Sequence, residues 1–220
     1  MLTIFYVFSY KKSKEIPGLK EKIKNANEVA TKFKQVGLEK VDLNIENGLQ
    51  ATDMLKDVQR DFKFLGTGAN KLTTDSELFK NVLRCGGAEF LVCDPSSPAL
   101  KQMSTRANDD YVAKVTSSIN KLKKYVDEGH DIKLRLYYAK NINEMPVYRL
   151  AFYNDVCLCS YNYFSTDIQD GRQLPQLHIK KSTTASPETS YHYAMAKYYE
   201  RLWEQNSSNQ YEPEKEVVNA

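Results

Sequence analysis

A histidine and a lysine separated by one residue, His178 and Lys180, stand in the stretch "QLHIKKS". The alternation of apolar and polar residues there predicts a strand, and residues two apart on a strand share a face. An imidazole and an ammonium group on one face could bind an anion or act on one. A structural or surface role, an anion contact and catalysis are the three interpretations. We favour the first, because the isolated pair also arises by chance.

A second group of polar residues follows two predicted strands. "DFKFLGTG" and "AEFLVCDP" indicate parallel strands, whose carboxyl ends meet at one edge of a sheet. Backbone N–H groups of a Gly-x-Gly loop before a helix can hold a phosphate. The alternative is that these glycines serve a strand exit that requires positive φ. A phosphate-containing small molecule or a nucleotide is the ligand predicted for this edge, with these residues as candidates: Gly66, Thr67, Gly68, Asn70, Lys71, Asp94 and Ser96.

The four cysteines, Cys85, Cys93, Cys157 and Cys159, predict buried free thiols. Cys93 and Cys157 lie in apolar runs, and cysteines two apart on a strand have poor geometry for a disulfide. A structural zinc site needs four ligands, and the three histidines show no metal-ligand spacing. We therefore expect neither a metal nor a cofactor.

The order of the predicted elements indicates an α/β fold with a mixed β-sheet and helices on both faces. Strands alternate with helices in the first half, which predicts parallel strands, and residues 131–181 hold several strands in succession, which predicts antiparallel additions. A turn at Asn154–Asp155 joins two of them. Helices are predicted from Pro17 to Gly37, over 51–60, over 108–128, and from Ser186–Pro187 through Trp203.

We expect a main domain over residues 51–206, a strand–helix–strand extension over 1–50 packed on the same sheet, and a flexible tail over 207–220. The extension begins with a core strand, "LTIFYVFSY", which is too short to cross a membrane and lacks the features of a secretory signal. A cytoplasmic protein without membrane contact is therefore expected. The helix of the extension carries an apolar stripe, formed by Leu19, Ile23, Ala26, Ala30 and Phe33.

Four stretches, in this order, resemble the phospholipase D superfamily in a single-copy form: "FKFLGTGANKL", "LRCGGAEFLVCDPSSPAL", "IKLRLYYAKNINEMPVYRLAFYNDVCLCSYNYF" and "AKYYERLWEQ". The strand and turn "GAEFLVCDPSSPAL" and the final helix "YYERLWE" are the most characteristic of them. The resemblance covers roughly residues 50–206. It implies a phospholipase D-like fold.

Active members of that superfamily carry His-x-Lys, then an aspartate and a Gly-Ser-x-x-Asn stretch, and their histidine forms a covalent bond to phosphorus. The resemblance places this motif on "PVYRLAFYNDVCLCSYNYF". Arg149 then stands at the lysine position, and Asn154 or Asp155 stands at the aspartate position. Ser160 and Asn162 correspond to the later serine and asparagine, although their spacing is short.

The same alignment puts Val147 at the histidine position. Valine cannot attack phosphorus, so the covalent chemistry of the superfamily lacks its nucleophile. His178 and Lys180 lie on a later strand, past the place of the motif, and Ala185 follows where a carboxylate would be needed. We therefore assign no catalytic residue from this resemblance.

The resemblance thus implies a non-catalytic binding or regulatory protein, such as an accessory or sensing module of a bacterial defence or signalling system. One alternative is a phosphodiesterase or nuclease with a non-standard site, formed by Arg149, Asp155, His178 and Lys180. Another is an obligate subunit of a larger complex. The 15 tyrosines concentrate in the C-terminal half and suit half-buried interfaces, so we expect a homodimer, with a different protein as the alternative partner.

Overall fold

The computed structural model describes residues 19–42, 58–74, 76–162, 175–182 and 187–213. Within these ranges the chain forms a seven-stranded sheet in the order β1-β7-β6-β5-β2-β3-β4. The predicted core strand over 2–10 and most of the predicted helix over 51–60 lie outside the described residues. The strands are β1 (Leu38–Asp42), β2 (Phe62–Gly66), β3 (Ala88–Cys93), β4 (Ile132–Tyr137), β5 (Tyr148–Tyr153), β6 (Val156–Tyr161) and β7 (Gln176–Lys180).

The sheet is mixed, as the element order predicts. Strands β2, β3 and β4 are parallel, while β5, β6, β7 and β1 continue the sheet in antiparallel pairs. Helical segments connect the parallel strands because a parallel neighbour requires a crossover. The β5–β6 hairpin turns at Asn154–Asp155, where Asn154 has a φ of 51°. Asparagine tolerates that left-handed conformation better than most residues.

Six α-helices occur in the described part of the chain. Helix α5 begins after Asp110, whose carboxylate accepts the Ala113 N–H at 2.9 Å, and α6 begins after Ser190, whose hydroxyl accepts the Tyr193 N–H at 3.2 Å. The start predicted for α6 was therefore too early: a 3₁₀ turn occupies Pro187–Thr189. The helices are α1 (Leu19–Gln35), α2 (Asn70–Thr74), α3 (Ser76–Arg84), α4 (Pro98–Ala107), α5 (Tyr111–Asp127) and α6 (Tyr191–Gln205).

Helices pack on both faces of the sheet. We define the front face by Phe62, Phe64 and Phe90; the ring of Phe90 contacts the rings of Phe62 and Phe64 and that of Phe79 on α3. The opposite, back face contacts α6, where Tyr199 packs on Phe152 at a centroid distance of 5.8 Å. Phe62, Phe79, Phe90 and Tyr199 are all at most 2% exposed. Burying a large apolar side chain contributes about 1.5–3 kcal/mol, so these contacts hold the layers together.

The environment of helix α1 differs from the one that its apolar stripe predicts. It contacts the β1 segment, but Glu21 to Gln35 are exposed apart from Ile23, which is partly buried. Phe33, a member of the predicted apolar stripe, is 51% exposed. Three stripe residues, Ala26, Ala30 and Phe33, are thus exposed, although β1 itself joins the sheet beside β7. No helix in the described ranges is long and apolar enough to cross a membrane.

Candidate functional site

Polar side chains gather at one edge of the sheet, which we call the carboxyl edge because β2, β3, β4 and β6 end there. The antiparallel strands β5 and β7 begin at this edge, so their first residues join the ends of the others. The described site candidates at this edge are Thr67, Asp94, Ser96, Arg149, Ser160 and Asn162.

Arg149 and Ser160 form the centre of this group. They are directly opposite in the β5–β6 ladder, and Arg149 Nε donates to Ser160 Oγ at 3.1 Å. Ser160 is buried, and Arg149 is partly exposed. A guanidinium presents several N–H donors in a rigid plane, so the bond to Ser160 fixes the orientation of that plane at the carboxyl edge. This geometry suits a phosphate or carboxylate ligand.

Thr67 and Asn162 form the second polar contact at this edge. Thr67 Oγ1 donates to Asn162 Oδ1 at 3.2 Å, and Asn162 Nδ2 donates to the Pro146 carbonyl at 3.3 Å. The Asn162 N–H donates to the Val147 carbonyl at 2.7 Å. The ends of β2, β5 and β6 are therefore cross-linked by side chains that the sequence placed among the ligand candidates.

The glycines of the Gly66-x-Gly68 loop serve close packing. Neither has a positive φ, so the strand-exit interpretation was wrong. A Cβ on Gly66 would lie 2.8 Å from the Phe64 ring, and one on Gly68 would lie 2.8 Å from Val115 Cγ2. The next N–H, that of Ala69, donates to Ser118 Oγ at 3.3 Å. The structure thus explains both glycines without a ligand.

The remaining candidates near this edge are engaged locally. Asp94 Oδ1 accepts from the N–H and the hydroxyl of Ser96, both at 2.7 Å, which builds the turn into α4. Asn70 begins α2, and its carbonyl accepts the hydroxyl of Thr74 at 2.7 Å. Lys71 is exposed on the same short helix. These residues shape the loops of the carboxyl edge.

His178 has a partner that the sequence did not suggest. Its Nε2 lies 2.5 Å from Asp42 Oδ2, and Lys40 Nζ lies 2.6 Å from the other oxygen of Asp42. Burial raises the pKa of the Asp42 carboxyl, but hydrogen bonds from Lys40 and His178 outweigh it, and the pKa is lowered from 3.8. The carboxylate of Asp42 therefore holds Nε2 of His178 and fixes the orientation of the imidazole ring.

Asp155 and Lys180 lie at the other end of the sheet. Lys180 is opposite Val156 at the start of β6, and its ammonium is 3.7 Å from Glu39. Asp155 is in the hairpin turn, 3.7 Å from Arg60. The non-standard site expected from Arg149, Asp155, His178 and Lys180 is therefore not assembled, because register separates its members along the strands.

Sequence reasoning missed two buried polar side chains on the front face and one that is partly buried, Asp42. Gln176 and Tyr153 are 1% and 4% exposed, and Asp42 is the partner of His178. The amide of Gln176, the hydroxyl of Tyr153 and Nδ1 of His178 have no hydrogen-bond partner among the residues that the structure describes. Burial raises the pKa of Tyr153 to about 12, so its hydroxyl is protonated. Each such atom costs about 1–3 kcal/mol when it is left unpaired.

The sequence signal for these residues was weak. Alternation in "QLHIK" puts Gln176 on the same face as His178. The sequence does not show that β1 and β6 are the two neighbours of this strand. Val147, at the position that the resemblance gives to the nucleophile, is 51% exposed just before β5.

The four cysteines are free and buried, which confirms the thiol prediction. Burial raises the pKa of Cys93 to about 11 and that of Cys159 to about 12, so both are protonated at neutral pH. In the described part of the chain, no three His, Cys, Asp or Glu side chains come together in a way that could hold a metal ion.

No family model matches the sequence, and no curated protein matches it. Among solved structures, the chain is similar to TrmBL2, described as an archaeal chromatin protein with a novel mode of DNA binding. The two are 17% identical with a TM-score of 0.47, over 93% of this chain and 68% of that one. Similarity at this level assigns neither a fold family nor a function.

Proposed function

We propose that this protein is a non-catalytic binding or regulatory protein on a phospholipase D-like scaffold, and that it binds a phosphate-containing ligand at the carboxyl edge. The observation that carries the proposal is the Arg149–Ser160 pair, in which a buried hydroxyl orients a guanidinium at that edge. Thr67 and Asn162 hold the neighbouring strand ends in place. A bidentate anion is the natural partner of a guanidinium fixed in this way.

The absence of catalysis in this proposal depends on Val147. On the superfamily pattern this position supplies the nucleophilic histidine, and an isopropyl group cannot form a bond to phosphorus. His178 belongs to a different strand and is held by Asp42 midway along β7. We therefore propose that His178 contributes to ligand binding and that it does not attack phosphorus.

The cellular setting rests on the resemblance alone. Single-copy members of that superfamily without the histidine are often accessory or sensing modules, including in bacterial defence and signalling, and on this resemblance we propose such a cytoplasmic role here. In that role the bound phosphate ligand is the signal, and the protein reports its presence to a partner.

An interaction subunit is the second candidate function, and a tyrosine cluster favours it. Tyr148 contacts the rings of Tyr161 and Tyr198 at 5.3 and 5.6 Å, and the Tyr198 hydroxyl accepts the Val147 N–H at 3.1 Å. Tyr161 and Val147 remain 53% and 51% exposed. Such half-buried aromatic groups suit a homodimer or a protein partner. Sedimentation equilibrium distinguishes a homodimer from binding to a different protein. A monomer at all concentrations contradicts the homodimer.

The test of the leading proposal pairs binding with turnover. Isothermal titration calorimetry measures the affinity for inorganic phosphate, and the same preparation is incubated with bis(p-nitrophenyl) phosphate and with DNA. We expect phosphate binding without release of p-nitrophenol or cleavage of DNA. Turnover that disappears in the His178→Ala variant would establish the enzyme instead.

A further inference from the structure

A row of buried polar side chains, some without hydrogen-bond partners among the described residues, runs from Arg149 across β6 to β7 on the front face. Ser160 is directly opposite Arg149 on β5 and directly opposite Gln176 on β7. The three side chains therefore follow one another across adjacent strands, about 5 Å apart per strand. His178 lies two residues further along β7 on the same face, opposite Leu158.

The hydrogen-bond capacity of this row is specific. Gln176 presents an amide oxygen and an amide nitrogen, neither with a partner among the described residues, while being 1% exposed. His178 is 3% exposed, Asp42 holds its Nε2, and its Nδ1 has no hydrogen-bond partner among the described residues. The row thus offers an amide oxygen, an amide nitrogen and one imidazole nitrogen beside the guanidinium of Arg149.

From this we infer that the phosphate ligand is a nucleotide, whose phosphate meets Arg149 and whose base edge meets Gln176 and His178. The inference rests on the proposed function and adds the side chains of β7 to the proposed site. Inorganic phosphate would leave the amide unpaired, whereas a nucleobase carries donors and acceptors in one plane that match a glutamine amide.

Adenine is a base that fits the Gln176 amide. Its amino group donates to the amide oxygen of Gln176, and a ring nitrogen accepts from the Gln176 amide nitrogen. His178 lies two residues along β7 on the same face, and Arg149, two strands away, is placed for the phosphate. Asp42 acts through His178, because it fixes the orientation of the imidazole ring.

Calorimetric titration of the full chain with inorganic phosphate, ribose 5-phosphate and AMP tests the inference. We expect AMP to bind at least about tenfold more tightly than ribose 5-phosphate. Equal affinity for these two, with both bound, overturns the nucleotide inference and leaves the proposed function standing. No binding of any of the three overturns the proposed function itself.

The Gln176→Leu variant supplies a second readout. It removes the unpaired amide at similar volume, so we expect a higher melting temperature than wild type together with loss of the AMP preference and retained phosphate binding. A merely structural glutamine gives the reverse, a lower melting temperature with the AMP preference unchanged. The wild-type comparison of AMP with ribose 5-phosphate stands even where this variant does not fold.

Discussion

At the scale of the residue, the site depends on how single polar groups are held. Ser160 orients Arg149 at the carboxyl edge, and Asp42 orients His178 midway along β7. The sequence alone suggested Arg149 as an anion-binding residue, because it stands at the position of the lysine in the superfamily motif. The Asp42–His178 pair was not, because 136 residues separate the two and only strand pairing brings them together.

Replacing Arg149 by alanine should remove phosphate binding. A charge-assisted hydrogen bond contributes about 1.5–3 kcal/mol, so the affinity for inorganic phosphate should fall about tenfold to a hundredfold, with Arg149→Lys intermediate. Titration calorimetry measures it. The control is Arg84→Ala, since Arg84 is exposed at the end of α3, near the opposite edge of the sheet. An equal loss in both variants contradicts the assignment.

Replacing Asp42 by asparagine should destabilise the protein in a pH-dependent way. The pKa of Asp42 is lower in the folded protein than its ordinary 3.8, so its stabilisation is present above that pH and is lost as the pH falls through the folded value. We expect about 1–3 kcal/mol less stability for Asp42→Asn at pH 6, and a difference that narrows below pH 4.

Urea unfolding between pH 3 and pH 6 checks this expectation. The exposed Glu28→Gln variant on α1 is the control, because its ion pair with Lys24, at 3.9 Å, should contribute less than about 0.5 kcal/mol. A difference between wild type and Asp42→Asn that is constant across this pH range contradicts the role given to Asp42.

At the scale of the element, periodicity predicted the strands and helices of the described part well. The parallel core, the β5–β6 hairpin and helices α5 and α6 follow from local pattern, since alternation and helical spacing reflect burial on one face. The environment of α1 did not follow, because an apolar stripe shows what a helix can pack against and not whether a partner lies there. The glycines of the β2 exit were misinterpreted because their constraints are side-chain contacts, that of Gly66 with the Phe64 ring and that of Gly68 with Val115 on α5.

Gly68→Ala tests that constraint. The new methyl group meets Val115 Cγ2 at 2.8 Å, so we expect a loss of about 1–3 kcal/mol in the free energy of unfolding. The Val115→Ala variant frees that space, and the double variant should be more stable than the sum of the two single losses. Strict additivity in denaturant unfolding means that the two residues do not share this contact.

At the scale of the whole molecule, the sheet has two unlike halves. Around β2 and β3 the front face packs against α3 through large apolar side chains. Around β6 and β7 the front face instead carries Ser160, Gln176 and His178, all buried. Proteins break the rule of an apolar interior mainly at functional sites, which is why we place the ligand there.

The compact interior also sets the behaviour of the thiols. Because all four cysteines are free and buried, the native protein should not react with Ellman's reagent at pH 8, and four thiols should react in guanidinium chloride. The raised pKa of Cys93, about 11, and of Cys159, about 12, reinforces this. Rapid modification of a native thiol contradicts the described packing.

We propose that the protein binds a phosphate-containing ligand without hydrolysing its phosphodiester bond. Equilibrium dialysis against the dinucleotide adenylyl-adenosine, followed by mass spectrometry of both the recovered ligand and the intact protein, tests both parts at once. We predict retained ligand that is recovered uncleaved, with unchanged protein mass. Cleaved ligand, a phosphoryl adduct on the protein, or no retained ligand would contradict the account.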